Sequence, residues 1–227
     1  MPPADDRFTG RIAGVGTRLA GSGAPDRADG APGPRFVVGM WAESPLGRFC
    51  DVMVETPAGR RILLAPRDDV ADYVSGTYTF DEVRVMPVSW RKIDGGLGVT
   101  AGDVLDLRLG IGAITPLGML LRAVPRPLAT SPAWLTAIDP VARLLVPGAA
   151  TAGSAGGGRR EFYGVTLARR ITSLTGTVVL THGTAAQELT GPAPLAPPVR
   201  FGFASAPAAP TLVDVTTTIR TPRARPE

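Results

Sequence analysis

Two stretches of this chain carry residues whose types and spacing could do chemistry. In the first, Arg48–Thr56, Asp51 and Glu55 alternate with apolar positions, so they share one strand face with Phe49 and Met53. In the second, Arg159–Arg169, Glu161 and Tyr163 share one face and Arg160 and Phe162 the other. Carboxyl, phenol and guanidinium groups projecting beside aromatic side chains are the lining of a polar-tipped apolar pocket. Such groups could serve a cofactor-independent isomerase, cyclase or lyase, with Asp51, Glu55, Glu161 and Tyr163 as candidate catalytic residues. Asp51 and Glu55 alone make no acid–base couple, because four residues of strand separate them by about 13 Å. A partner from another strand is required. Trp41, Phe49, Met53, Trp90 and Arg160 are the candidate ligand-binding residues, placed by the same alternation on strands.

Other motifs fail on context. Gly14-Val15-Gly16 follows a strand pattern, but the third position of a dinucleotide-binding fingerprint is Leu19 and a loop follows. Lys92, the only lysine, follows Arg91, so no phosphate-binding P-loop is present; near the Asp94-Gly95-Gly96 turn it reads as exposed, although a buried lysine could form an imine. His182, the only histidine, cannot build a two-histidine metal site, and no serine stands in a G-x-S-x-G elbow. Gly153–Arg160, with three consecutive glycines before two arginines, could wrap an anion but reads first as a solvated loop. No metal and no cofactor is implied.

The elements that must position these groups are strands. Arg35–Glu43, Arg48–Thr56 and Arg60–Ala65 form three successive strands, separated by Ser44–Gly47 and Pro57–Gly59. Phe8–Thr17, Thr79–Trp90, Val99–Leu109, Arg159–Arg169, Ile171–Leu180, Val199–Ala204 and Thr211–Ile219 read as the others, with Pro87 demoting the second of these to an edge or bulge. Ile171–Leu180 is expected to pair back on the strand before it, around Leu174-Thr175-Gly176. Helices are expected at Arg67–Gly76, Pro116–Val124 and from Ser131 onward, where Pro132 suits the first turn and Pro140 kinks or divides the helix. Strand–helix–strand alternation is absent. The pattern predicts a mainly β fold, one antiparallel, closed or partly closed β-barrel with two or three inserted helices over residues 8–219; a two-sheet sandwich is the alternative. Residues 1–7 and 220–227 are expected to be disordered tails, and 20–34 and 147–158 flexible loops.

The 227 residues are 44% hydrophobic, enough for a core, and carry a net charge of +4 with a pI near 10.0. The basic residues are almost all arginine and scattered, which argues against nucleic acid as a partner. A single cysteine excludes an intramolecular disulfide and a Cys-based zinc site. No apolar signal region is visible at the start, and the longest uncharged apolar run falls short of a membrane span, so the expectation is a soluble, cytoplasmic protein without an integral membrane segment. The sequence is silent on oligomeric state.

At FTGRIAGVGT, WAESPLGRFCDVMVE, TYTFDEV, SAGGGRREFYG and VRFGFAS the chain resembles an uncharacterised family from high-GC Gram-positive bacteria. The resemblance implies one intracellular domain and no particular activity. The barrel is similar to lipocalin-like binders in architecture only. Three functions follow from these readings: a protein binding a small apolar molecule in a barrel cavity, a cofactor-independent enzyme using the same cavity, or a structural or interaction protein whose barrel is filled.

Overall fold

A computed structural model describes residues 5–21, 31–146, 150–181, 183–202 and 207–221. Its elements are β1 (Asp5–Leu19), β2 (Ala31–Glu43), β3 (Phe49–Glu55), β4 (Arg61–Ala65), α1 (Asp68–Ser75), β5 (Glu82–Val85), β6 (Val88–Ile93), β7 (Gly96–Ala101), β8 (Leu105–Ile114), α2 (Pro116–Ala123), α3 (Arg126–Ala129), α4 (Pro132–Leu145), β9 (Ala152–Ser154), β10 (Arg160–Val178), β11 (Gln187–Ala193) and β12 (Thr211–Arg220). The protein is mainly β: a closed antiparallel barrel with extra strands and, among the described residues, four α-helices.

The sheet runs β5-β4-β3-β2-β1-β11-β10-β8-β7-β6, and β6 comes back against β3. β1 and β10 are long enough to serve twice. Their outer halves flank β12, and their inner halves flank β11. The barrel is filled. Phe36, Val38, Val52, Val54, Ile62, Leu64, Val99, Leu107, Leu109, Ile171 and Leu174 meet there in one buried cluster, to which β1, β11 and β12 add Val15, Leu189 and Leu212. Cys50 belongs to the same cluster, and burial pushes its thiol up, out of the reactive range. A cavity lies on the other face of the wall, lined by Val37, Asp51 and Met53 among others.

Several elements depart from the sequence reading. The expected strand over Thr79–Trp90 is two strands broken at Met86-Pro87, and β5 pairs parallel to β4 across α1, a strand–helix–strand unit inside an antiparallel sheet. The alternation over Val99–Leu109 spans a hairpin, turned at Gly102 with a positive φ, so the inward register is kept across the turn. Arg160–Val178 is one 19-residue strand, not a hairpin at Leu174–Gly176, because β8, β11 and β12 supply partners along its whole length. Val199–Gly202 is irregular. Asp5–Arg7 and Arg220, placed in the tails by sequence, are strand; the Arg220 guanidinium grips Asp5 with bonds of 2.8 and 2.7 Å. Residues 22–30 and His182 lie outside the described residues.

The helices follow local chemistry. α1 begins with Asp68 and Asp69, acids suited to a helix N-terminus, and buries Val70, Ala71 and Val74 against Leu63 and Ala65 on the outer face of β4. Thr115 caps α2 at its start by accepting from Gly118 N, and Pro125 follows its end. α4 carries Pro140 inside it, as the sequence indicates, and remains one helix. No helix among the described residues is long and apolar enough to cross a membrane.

Candidate functional site

The outer face of β2 and β3 explains how a polar site forms beside a filled barrel. In register, Val37 faces Met53, Gly39 faces Asp51 and Trp41 faces Phe49. All six point away from the barrel core. Phe8 and Ile12 of β1, Glu161 and Tyr163 of β10, and Thr217 and Ile219 of β12 extend the same surface. Tyr73 and Val74 of α1, Tyr78 after it, and Val199 and Phe201 of the irregular segment roof it over. The cavity is about 80 Å³, room for a few waters or a ligand of a few non-hydrogen atoms.

Two carboxyls face this cavity from opposite strands. Asp51 is 1% exposed and Glu161 2%. Asp51 Oδ1 accepts from Trp41 Nε1 at 3.0 Å, and burial pushes its carboxyl up to about 7 despite that bond. Glu161 Oε1 accepts from the Tyr78 hydroxyl at 2.8 Å, and burial likewise pushes Glu161 up to about 7. Burial, then the neighbouring Glu161 charge, drives the Tyr78 phenol well above its ordinary value, so Tyr78 stays a donor. Glu161 Oε2 and the Thr217 hydroxyl are buried on the same cavity with no hydrogen-bond partner among the described residues. Buried polar atoms are nearly always paired, so these two are open positions for a ligand or water.

Gly39 makes the arrangement sterically possible. A Cβ there would fall on Asp51 Oδ1 and within 2.6 Å of Trp41 Nε1, so only glycine lets the indole reach the carboxylate. An aromatic wall fixes the indole: Phe8 meets Trp41 edge-on at 5.6 Å, and Trp41 lies 6.3 Å from Phe49.

Of the residues singled out from sequence, Asp51, Glu161, Tyr163, Trp41, Phe49 and Met53 line this one cavity. Glu55, Arg160 and Trp90 lie elsewhere. Glu55 is fully buried at the far end of β3, where it pairs with Arg35 at 3.0 Å and accepts from Arg200 N at 2.8 Å and Arg200 Nε at 3.3 Å. It is an anchor for the segment that roofs the cavity. Arg160 points the other way and lies over the Phe162 ring at 5.4 Å. Trp90 is 38% exposed on β6. Lys92 is exposed there too, so the cavity's own groups are carboxyls, phenols, a hydroxyl and an indole. The glycine loop before Arg159 is docked rather than open: Gly156 N donates to Thr77 O, and Arg159 donates to Thr77 Oγ at 2.7 Å and lies over Tyr73. Among the described residues no three His, Cys, Asp or Glu side chains cluster.

Sequence reasoning missed Tyr78, Thr217, Phe8, Tyr73, Phe201 and Gly39. The one available signal was a glycine between Val37 and Trp41, opposite an acid in the adjoining strand. Tyr78 sits in an irregular stretch, where periodicity gives no face.

No protein-family model matches the sequence, and no curated relative matches it. Solved structures of acetoacetate decarboxylase are distantly similar. One has a TM-score of 0.38 at 11% identity, covering 96% of this chain and 88% of that chain. Another, from Legionella pneumophila subsp. pneumophila str. Philadelphia 1, has a TM-score of 0.35 at 11% identity, covering 96% of this chain and 86% of that chain. At that level the likeness carries nothing about activity.

Proposed function

We propose that the cavity carries proton transfer on a small, mostly apolar substrate, making the protein a cofactor-independent enzyme of the isomerase, cyclase or lyase type. The observation that supports this reading is the pair Asp51 and Glu161: two buried carboxyls on one cavity, both raised to about 7. Near neutral pH such a pair holds one proton between two sites, so an acid and a base are present together. Glu161 is the base, since Oε2 is open to the cavity while Oε1 is held by Tyr78. It takes a proton from a carbon next to a carbonyl. Asp51 gives its proton to the oxygen on which the electron pair collects. Return of a proton at another carbon completes an isomerisation, and departure of a leaving group with the electron pair completes a lyase step. Thr217 is placed to hold a polar substituent, and the aromatic wall holds the apolar remainder.

Proton exchange in heavy water tests this directly. The protein is incubated with a panel of small ketones and keto esters, and deuterium uptake is followed by NMR, with native mass spectrometry of the fresh protein run alongside. Uptake that disappears in Glu161→Gln and Asp51→Asn, with circular dichroism unchanged, is the expected result. A co-purified mass without exchange or turnover would instead make the protein a binder of small apolar molecules. Neither mass nor exchange would leave the carboxyls a structural role.

A further inference from the structure

The structure has a second, larger recess whose chemistry differs from that of the cavity. It is a groove of about 930 Å³ lined by strands β1, β2, β6, β10 and β12 and by the α3–α4 corner. Four guanidiniums line it, those of Arg7, Arg11, Arg48 and Arg126, against one carboxylate, Asp214. Arg11 is paired with Asp214 at 3.3 Å. Arg7 donates to the neutral Thr130 hydroxyl at 3.1 Å, and Arg48 and Arg126 enter no ion pair among the described residues. A smaller recess of about 380 Å³ continues past Asp214, Thr166 and Arg126 and adds Arg122. Two of the chain's three tryptophans, Trp41 and Trp90, lie on the groove wall.

The geometry points to a binding site for a multiply charged phosphate ester of nucleoside diphosphate size, with its phosphoryl groups on Arg7, Arg48 and Arg126 and its planar ring on Trp90. Three guanidiniums without a carboxylate partner are more than one carboxylate ligand could satisfy. Guanidinium forks match phosphoryl oxygens, and the groove walls exclude part of the water that would screen them. The exposed Trp90 indole offers a face for stacking. The volume is that of a ligand site, more than ten times the carboxyl cavity. Only Trp41 is common to the two linings, so this site stands independently of the proton-transfer reading.

Adenosine diphosphate, inorganic pyrophosphate, adenosine and a single-stranded oligothymidylate are the probes, titrated at low salt with calorimetry and tryptophan fluorescence. The expected result is saturable binding of one diphosphate per chain, competed by pyrophosphate and weak for adenosine. The double variant Arg48→Gln/Arg126→Gln, at exposed positions, weakens it by about tenfold or more with circular dichroism unchanged. Trp90→Phe weakens adenosine diphosphate and spares pyrophosphate. Arg108→Gln, an exposed arginine on β8 away from the groove, leaves both unchanged. Absence of saturable diphosphate binding would overturn the proposal. So would an equal loss in Arg108→Gln, which would signal net charge alone. Oligothymidylate binding about a hundredfold tighter than the diphosphate would mark a nucleic-acid surface in its place.

Discussion

Tyr78 donates its hydroxyl hydrogen to Glu161 Oε1 at 2.8 Å while Glu161 Oε2, on the same buried carboxyl, meets no partner among the described residues. One half of the group is fixed and the other is left open to the cavity. That asymmetry, with burial as its background, makes Glu161 a source of instability and underlies the base role proposed for it.

The cost appears as pH dependence of folding. Asp51 and Glu161 titrate near 7 in the folded protein, above the roughly 4 of an unfolded carboxyl. Between those values the native state holds protons that the unfolded chain has released, so stability falls as pH rises through the window. Asp5, Asp69 and Asp81 act in the opposite sense: their hydrogen bonds to Arg220, Arg67 and Arg61 hold them low, and their contribution is lost only as pH falls below about 4. Urea denaturation is therefore expected to show a maximum near pH 5 and a lower midpoint at pH 8. In Glu161→Gln the decline between the two shrinks, by on the order of 2–3 kcal/mol. An unchanged decline would show that Glu161 is not protonated in the native state near pH 6.

Glu55 is the contrasting carboxyl, equally buried but fully engaged by Arg35 and Arg200. Glu55→Ala leaves the Arg35 guanidinium, only 12% exposed, without its carboxylate and with Pro197 O as a remaining acceptor. It also frees Arg200, in the stretch that carries Val199 and Phe201 over the cavity, from β3. Loss of one partner from a buried pair costs about 3–5 kcal/mol, and chemical denaturation is expected to show a loss in that range. Limited proteolysis is expected to cut first near 195–202. A loss under about 1 kcal/mol would mean that the segment is held without Glu55, by its apolar contacts and by bonds such as that from Thr79 N to Phe201 O.

Gly39→Ala tests the close approach of the indole to the carboxylate. The added methyl occupies the position of the Trp41–Asp51 hydrogen bond, so the indole and the carboxyl must part to admit it. A destabilisation of about 1–3 kcal/mol is expected, with a shift in Trp41 emission and loss of any proton-exchange activity. Wild-type stability and emission would show that the wall can give way.

How much of this was legible in the sequence follows from periodicity. Alternation of two put Asp51 with Phe49 and Met53, and Glu161 with Tyr163, and the structure keeps those faces. Alternation cannot tell the inside of a barrel from the outside, so the cavity lined by the Asp51 face was expected within the barrel, whereas that face lies opposite the one that packs the core. Nor does it separate Asp51 from Glu55: both are acids on one strand face, and only the long-range approach of Arg35 and Arg200 turns the second into an anchor. Thr79–Trp90 and Val99–Leu109 kept their alternation through a break and a turn, which concealed both. Tyr78 and Phe201 sit in irregular backbone, where no period exists to be read.

The roles assigned to the two carboxyls separate in the pH profile. Activity needs one of them ionised and the other protonated, so exchange is expected to peak near pH 7 and fall on both sides, with the apparent values belonging to the pair. The hydrogen bond from Tyr78 lowers Glu161, and that from Trp41 lowers Asp51. Tyr78→Phe removes the first bond. Glu161 then rises further, and the acid limb, which reports ionisation of the base, moves up by about one unit. Trp41→Phe removes the second, and the alkaline limb, which reports loss of the acid's proton, moves up instead. Measured exchange rates from pH 5 to 9 distinguish the two. A Tyr78→Phe variant that shifts the alkaline limb would exchange the roles of Glu161 and Asp51, and one that shifts neither would remove Glu161 from the chemistry.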